Sequence, residues 1–474
     1  MNRCCFALSA VLALGASAVN ADEPPPIKLT LTPAKLPTPA LKYQLLPDAR
    51  ATVSGDAAPL YKRVGELLAK KEFEKKRLPI FDWLAAPLEE LPREDVRKFL
   101  TDYQEVYKLL DQAARCERCD WKILEQVRAK GTGVKVPDEA DPTWWGGKML
   151  ALRARLEIAE GHLEDALWSL RAGLVLVRRT GEALCKHCFV MGVGLAVDMQ
   201  RVLEDFVARP DAPNLYFALT DLPQPFLNLR QPLEGERLGV YATFPGLPDV
   251  ILKSDAPPMT AQQIQESVAF IGAVSFPDDA DEKAALTKLT KTILARHEAA
   301  TKAVIASGRP RAKVVAMPHV QVALLHAMLE FDAALDEVLV AQNLPYPQCA
   351  ERVRKVVETV ENARKNDPNA PALPVAREML YRIDLVTLFR VRTDRRFAAL
   401  RTVEAIRLYA ATHDGKFPAR LADIEEVPAP LDPVTAKDFE YRCDGDVATL
   451  RGPAPGKDKP NSDNTLVYEL RIRK

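Results

Sequence analysis

The chain has 474 residues, with 65 Lys and Arg balanced against 65 Asp and Glu, and 47% of its residues are hydrophobic. Balanced charge excludes the basic excess that nucleic-acid binding needs to neutralise phosphates. The length suits about three ordinary domains or one extended helical array, so the 8 cysteines do not have to build the fold.

Residues 1–21 read as a cleavable export signal. Arg3 gives a positive start, residues 4–18 are apolar, and Val19-Asn20-Ala21 ends in a small residue before Asp22-Glu23-Pro24-Pro25-Pro26. The apolar run is shorter than the ~20 residues a spanning helix needs, so no stable membrane insertion is expected after cleavage. The mature protein is expected in the periplasm or outside the cell. Residues 22–58, rich in Pro, Ala and Thr, read as an extended leader.

A repeat-like helical domain is expected over residues 59–208. Leu60, Val64, Leu67 and Leu68 share one helix face. Val96, Phe99, Leu100, Tyr103, Tyr107, Leu110 and Ala114 share another, with Pro92 just ahead of it. Gly131, Gly133, Pro137, Pro142 and Gly146-Gly147 then interrupt the pattern. A helical hairpin follows, 148–160 and 163–179, turning at Gly161-His162 and closing at Gly181. With Ala154, Gly161 and Ala166 at close-approach positions and Leu170 and Leu174 facing the partner helix, the hairpin resembles a tetratricopeptide repeat. Leu150 and Arg178 stand where that family has Trp and Pro.

Residues 209–280 carry recurrent prolines and read as irregular structure with a short helix near 261–269. Helical hairpins are expected over 281–374: Leu286, Leu289, Ile293, Ala300 and Val304 share a face ending at Gly308 and Pro310, and further helices cover 321–341 and 350–364. Residues 375–474 combine a long helix to Thr412 with short strands, of which 466–472 alternates with period two. The expected fold class is mainly α, a tetratricopeptide-like helical-hairpin array with a small α+β C-terminal element.

Two cysteine pairs are the sharpest chemical feature, Cys116-Glu117-Arg118-Cys119 and Cys185-Lys186-His187-Cys188. Two Cys-x-x-Cys pairs can complete a tetrahedral structural zinc site. They can also form disulfides or stay as unlinked thiols, and 65 residues separate Cys119 from Cys185. If helices bring all four together, a metal is the simplest occupant. A thioredoxin-type pair belongs at a helix start behind a strand, and neither pair has a clear strand before it. His319, His326 and Glu330 could share a helix face, although Pro318 places His319 at a helix end. Arg390, Arg392, Arg395 and Arg396 read as a solvated basic face. Nucleophile-elbow, P-loop and His-Glu-x-x-His patterns are absent.

Ala405-Ile406-Arg407-Leu408-Tyr409, His413-Asp414-Gly415-Lys416-Phe417-Pro418, Leu431-Asp432-Pro433 and Tyr441-Arg442 resemble the head of type II secretion pseudopilins, in which a helix ends in a Gly-aromatic-Pro turn and an Asp-Pro turn leads into a small sheet. Taken whole, with Cys119-Asp120-Trp121 and the run 150–179, the chain resembles exported helical proteins of planctomycete-type bacteria, a resemblance that carries no activity over. The function expected is an exported, non-enzymatic helical scaffold engaging proteins or peptides. The alternatives are a metal-dependent hydrolase built from scattered residues and an accessory of a secretion or pilus-like apparatus.

Overall fold

The computed structural model describes residues 23–130, 140–243, 258–275, 282–366, 380 and 382–473. The export signal and the Gly131–Gly133 turn therefore lie outside the described residues. The described chain is mainly helical, with 17 α-helices and a small mixed sheet. No described helix is long and apolar enough to cross a membrane.

The first part of the helical body contains α1 (Ala58–Leu68), α2 (Lys71–Lys76), α3 (Pro79–Ala85), α4 (Arg93–Asp102) and α5 (Gln104–Arg115). The single helix expected from Val96 to Ala114 is two, because the chain turns at Tyr103 (φ −116°, ψ 25°). That turn seats the Tyr103 ring against Phe73 and Phe99. A short β2 (Val53–Asp56) runs parallel to β3 (Cys116–Arg118), and α6 (Ile123–Lys130) follows.

Three long helices form the centre: α7 (Ala140–Glu160), α8 (Leu163–Gly181) and α9 (Lys186–Val207), each packed against the other two. Gly146 and Gly147, expected to break the pattern, lie inside α7. A Cβ on Gly147 would stand 2.6 Å from Leu195 Cδ2, so the glycine serves close packing against α9. Pro142 lies in the first turn of α7, where the missing N–H costs nothing. Gly161, at φ +82°, makes the α7–α8 turn, and Ala154, Ala166, Leu170 and Leu174 are buried as the hairpin pattern requires.

The Pro-rich stretch is more helical than expected. It contains α10 (Tyr216–Thr220), α11 (Arg230–Thr243) and α12 (Ala261–Ser275). Helices α13 (Glu282–Ala306), α14 (Arg311–Val315), α15 (His319–Ala341) and α16 (Tyr346–Asn366) complete the outer body, with Gly308 at φ +97° and Pro310 closing α13. Ile293, Ala300 and Val304 are buried, as their shared face implies.

Helix α17 (Ile383–Thr412) packs on α9, α10 and α16 and contributes side chains both to the apolar core of the helical body, through Phe397 and Leu400, and to a second core under the C-terminal sheet, through Val403 and Ile406. Its C-terminal part carries a four-stranded sheet ordered β1-β6-β5-β4, from β1 (Ile27–Leu31), β4 (Glu440–Asp444), β5 (Val447–Gly452) and β6 (Leu466–Ile472). Strand β6 covers the expected residues. Strand β1 departs from expectation: the leader runs parallel to β6, with Leu29 opposite Leu470. Alternation in Ile27-Lys28-Leu29-Thr30-Leu31 buries Leu29 and Leu31 against Val403, Ile406 and Leu450, which explains why this segment cannot remain a linker.

The four arginines expected as a solvated basic face are instead structural. Arg395 is 2% exposed and forms a bidentate pair with Asp432 at 2.8 and 2.7 Å. Arg396 makes the same kind of pair with Glu204 at 2.7 and 2.6 Å, Arg392 meets Asp463 at 2.8 Å, and Arg390 is buried. The helix is apolar and polar all round because it is enclosed on every side, so charge clustering in sequence did not mean exposure.

Candidate functional site

The four cysteines lie in two pairs, Cys116 and Cys119 at β3 and Cys185 and Cys188 at the start of α9, and Trp121 borders the apolar cluster of each pair. Cys116 opens β3 and is buried, and its thiol lies 3.5 Å from the Gln112 carbonyl, to which it donates. Cys119 lies in the turn after β3. Its thiol is pushed up to about 12 by burial, against a smaller opposite pull from Arg179. Arg179 donates to the carbonyls of Ala113 and Cys116, tying α8 to this turn. The Asp56 carboxylate accepts the N–H groups of Ala58 and Asp120, both at 3.0 Å, so β2 holds the same turn from the other side.

Trp121 closes the site. Its indole N–H donates to the Arg179 carbonyl at 2.9 Å and its ring stacks on Tyr61 at 5.5 Å. Its apolar face also borders a small cluster of Ile123, Ala183 and Cys188, with Leu184 and Cys185 at the margin.

The second pair straddles the start of α9. Cys185 is the N-cap in extended conformation, φ −158° and ψ 121°, and its carbonyl accepts the Phe189 N–H at 3.1 Å. Cys185 stands at the position that Ser or Asp usually fills, without a side-chain capping hydrogen bond. The Cys185 thiol is held below its ordinary range by a hydrogen bond from the Cys188 thiol and by the N–H groups of Cys188 and His187, against the opposing effect of burial. The Cys188 thiol is pushed well up by the same contact and by burial. Helix α11 clasps the preceding loop: Glu236 accepts the Lys186 N–H at 2.9 Å, and a Cβ on Gly235 would collide with the Leu184 carbonyl.

All six described cysteines are free thiols, Cys349 and Cys443 included. Among the described residues, no group of three or more His, Cys, Asp and Glu side chains could hold a metal ion. The histidine arrangement also differs from expectation. His319 stacks on His297 at 3.8 Å, while His326 faces Glu330 at 3.6 Å, so the two histidines of α15 do not share a ligand point.

Sequence reasoning missed two further features. One is a polar network between α5, α7 and α8. Arg153 binds Asp111 at 3.1 and 2.7 Å and donates to Ser169 at 2.8 Å, and the Ser169 hydroxyl donates to Glu157 at 2.5 Å. Burial pushes the Glu157 carboxyl up to about 7 despite the Ser169 bond and the Arg153 charge. A carboxyl raised on folding holds its proton more tightly when folded, so stability rises as pH falls from about 7 toward its unfolded value near 4.5 and levels off below. Glu157→Gln should remove this dependence. In urea unfolding, the wild-type gain between about pH 8 and about pH 5 should shrink by about 2 kcal/mol in the variant. An unchanged gain would refute the assignment.

The other missed feature is the outer face of α3. Leu78 is 69% and Phe81 45% exposed. Phe81 meets the edge of Trp145 at 5.4 Å, Arg77 lies over the same indole at 4.8 Å, and Lys148 lies 4.5 Å from the Trp144 ring and 5.3 Å from Phe81. Lys148 is itself fixed by Asp198 at 2.7 Å. The only available signal was the spacing of Leu78, Phe81 and Trp145, residue types enriched at binding surfaces, but the pairing of α3 with α7 is long-range. No family model, curated protein or solved structure matches the chain.

Proposed function

We propose that the protein is an exported helical scaffold, without catalytic activity of its own, that engages other proteins or peptides. The observation that carries this reading is the α3 surface. Exposed Phe81 of α3 rests against partly buried Trp145 under Arg77, and the exposed Leu78 stands just before the helix. Large aromatics backed by fixed neighbours supply contact area without much ordering cost, and together with Arg they dominate binding energies at protein interfaces. Export is supported by the charge and hydropathy pattern of residues 1–21.

The test is selection of displayed peptides against the immobilised mature protein. Sequences with apolar anchors should be enriched on the wild type. Phe81→Ala, with an unchanged circular dichroism spectrum, should bind them about tenfold more weakly, the effect of losing about 1–2 kcal/mol at an anchor. Absence of enrichment, or equal binding by both proteins, would refute the reading.

A second reading, an accessory of a secretion apparatus, is favoured by the packing of Val403 and Ile406 of α17 beneath Leu450 and Leu470 of the small sheet. Co-purification with pseudopilins, lost when residues 401–452 are replaced, would select it.

A further inference from the structure

The pair at the start of α9 has a geometry that a merely buried pair of thiols does not need. Cys185 and Cys188 occupy the N-cap and third position of a 22-residue helix, so both side chains belong to the same first turn. They differ in access: Cys185 is partly exposed, whereas Cys188 is 3% exposed. They are also held in place, since Glu236 and Gly235 of α11 fix the loop that enters the helix. The other pair lacks this arrangement, because Cys116 and Cys119 sit on a strand and a turn with no helix beginning at either sulfur.

We propose that Cys185 and Cys188 form a redox-active dithiol that exchanges with substrate disulfides, Cys185 being the attacking sulfur and Cys188 the resolving one. The N–H groups and dipole at a helix start stabilise a thiolate, and the lowered Cys185 thiol agrees with that placement. In the first step the Cys185 thiolate forms an S–S bond to one substrate sulfur. The substrate S–S bond breaks, and the departing thiolate takes a proton. In the second, Cys188 gives up its proton and its sulfur bonds to Cys185, releasing the other substrate sulfur, which is protonated in turn. The dithiol loses two electrons and two protons and the substrate disulfide gains them. The reverse sequence passes a disulfide to a substrate dithiol. Trp121 and Leu184 beside Cys185 offer an apolar margin for the substrate. The wild type, Cys185→Ser and Cys188→Ser test the proposal.

The reduced full-length mature chains are incubated with oxidised glutathione, quenched in acid and mapped by peptide mass spectrometry. The wild type should form the Cys185–Cys188 disulfide and return to the dithiol in excess reduced glutathione. Cys188→Ser should trap glutathione on Cys185, while Cys185→Ser should trap none on Cys188. On the wild type alone, so that no variant need fold, iodoacetamide at neutral pH should label Cys185 at least about tenfold faster than Cys119. Labelling of Cys185 no faster than Cys119, trapping on Cys188 rather than Cys185, or a disulfide that reduced glutathione cannot open would overturn the proposal.

Discussion

Arg395→Met is expected to destabilise the protein by about 3–5 kcal/mol, the usual consequence of removing one partner from a buried ion pair. All five guanidinium N–H groups of Arg395 are used. Nε and Nη2 hold Asp432, Nη1 donates to the carbonyls of Gly452 and Asn464, and Nη2 also donates to that of Pro453. One side chain of α17 thus fastens the Asp432 turn and both ends of the β5–β6 connection. Asp432 is 0% exposed and keeps only the Val434 N–H and the Thr435 hydroxyl as side-chain donors once Arg395 is gone. Methionine fills much of the space but removes the counter-charge of Asp432 and the guanidinium donors to three carbonyls. Arg395→Lys should fall between, because an ammonium has three donors and no fork. Urea denaturation measures the loss, and a Met variant within about 1 kcal/mol of wild type would contradict the role assigned to Arg395.

Gly192→Ala has the second-largest expected effect, with a sign opposite to the intrinsic preference. In an exposed helix interior, Ala is better than Gly by about 1 kcal/mol. At Gly192, however, the new Cβ would stand 2.5 Å from the Cα of Gly181, 2.8 Å from its N and 3.0 Å from the Val177 carbonyl oxygen. These are backbone atoms of α8, which cannot rotate away, so α8 and α9 must separate. A net loss of about 1–3 kcal/mol is expected, within the range for overpacked cores. Gly173→Ala provides the contrast. Its Cβ would collide with the end of the flexible Met199 side chain, which can swing aside. Thermal unfolding should therefore rank Gly192→Ala below Gly173→Ala, and the reverse order would show that the α8–α9 crossing is not the tight point.

Local periodicity carried much of the fold. Helix α15 begins behind Pro318, as its proline and apolar spacing imply, and β6 spans the residues whose alternation marks it. Departures occur where a distant partner decides the outcome. Leu29 and Leu31 alternate like a strand, but their partner β6 lies at the other end of the chain. Gly146 and Gly147 look like breakers until Leu110 and Leu195 are seen pressed against them. The arginines of α17 form a charge cluster in sequence, and only their partners Asp432 and Glu204 turn it into an interior.

The cysteine site was legible in its residues but not in its arrangement. Spacing marked Cys185 and Cys188 as a pair. It could not show that Trp121 would border the apolar clusters of both pairs, nor that Cys185 would be a helix N-cap without a preceding strand. The α3 surface was harder still, because Phe81 and Trp145 are brought together only by the packing of α3 on α7.

Calorimetric titration of a peptide selected on the wild-type protein tests the binding role most directly. The scaffold reading predicts saturable binding with a negative heat-capacity change from buried apolar surface, weakened about tenfold in Phe81→Ala. Equal affinity for wild type and Phe81→Ala, or no heat of binding to either, would contradict it.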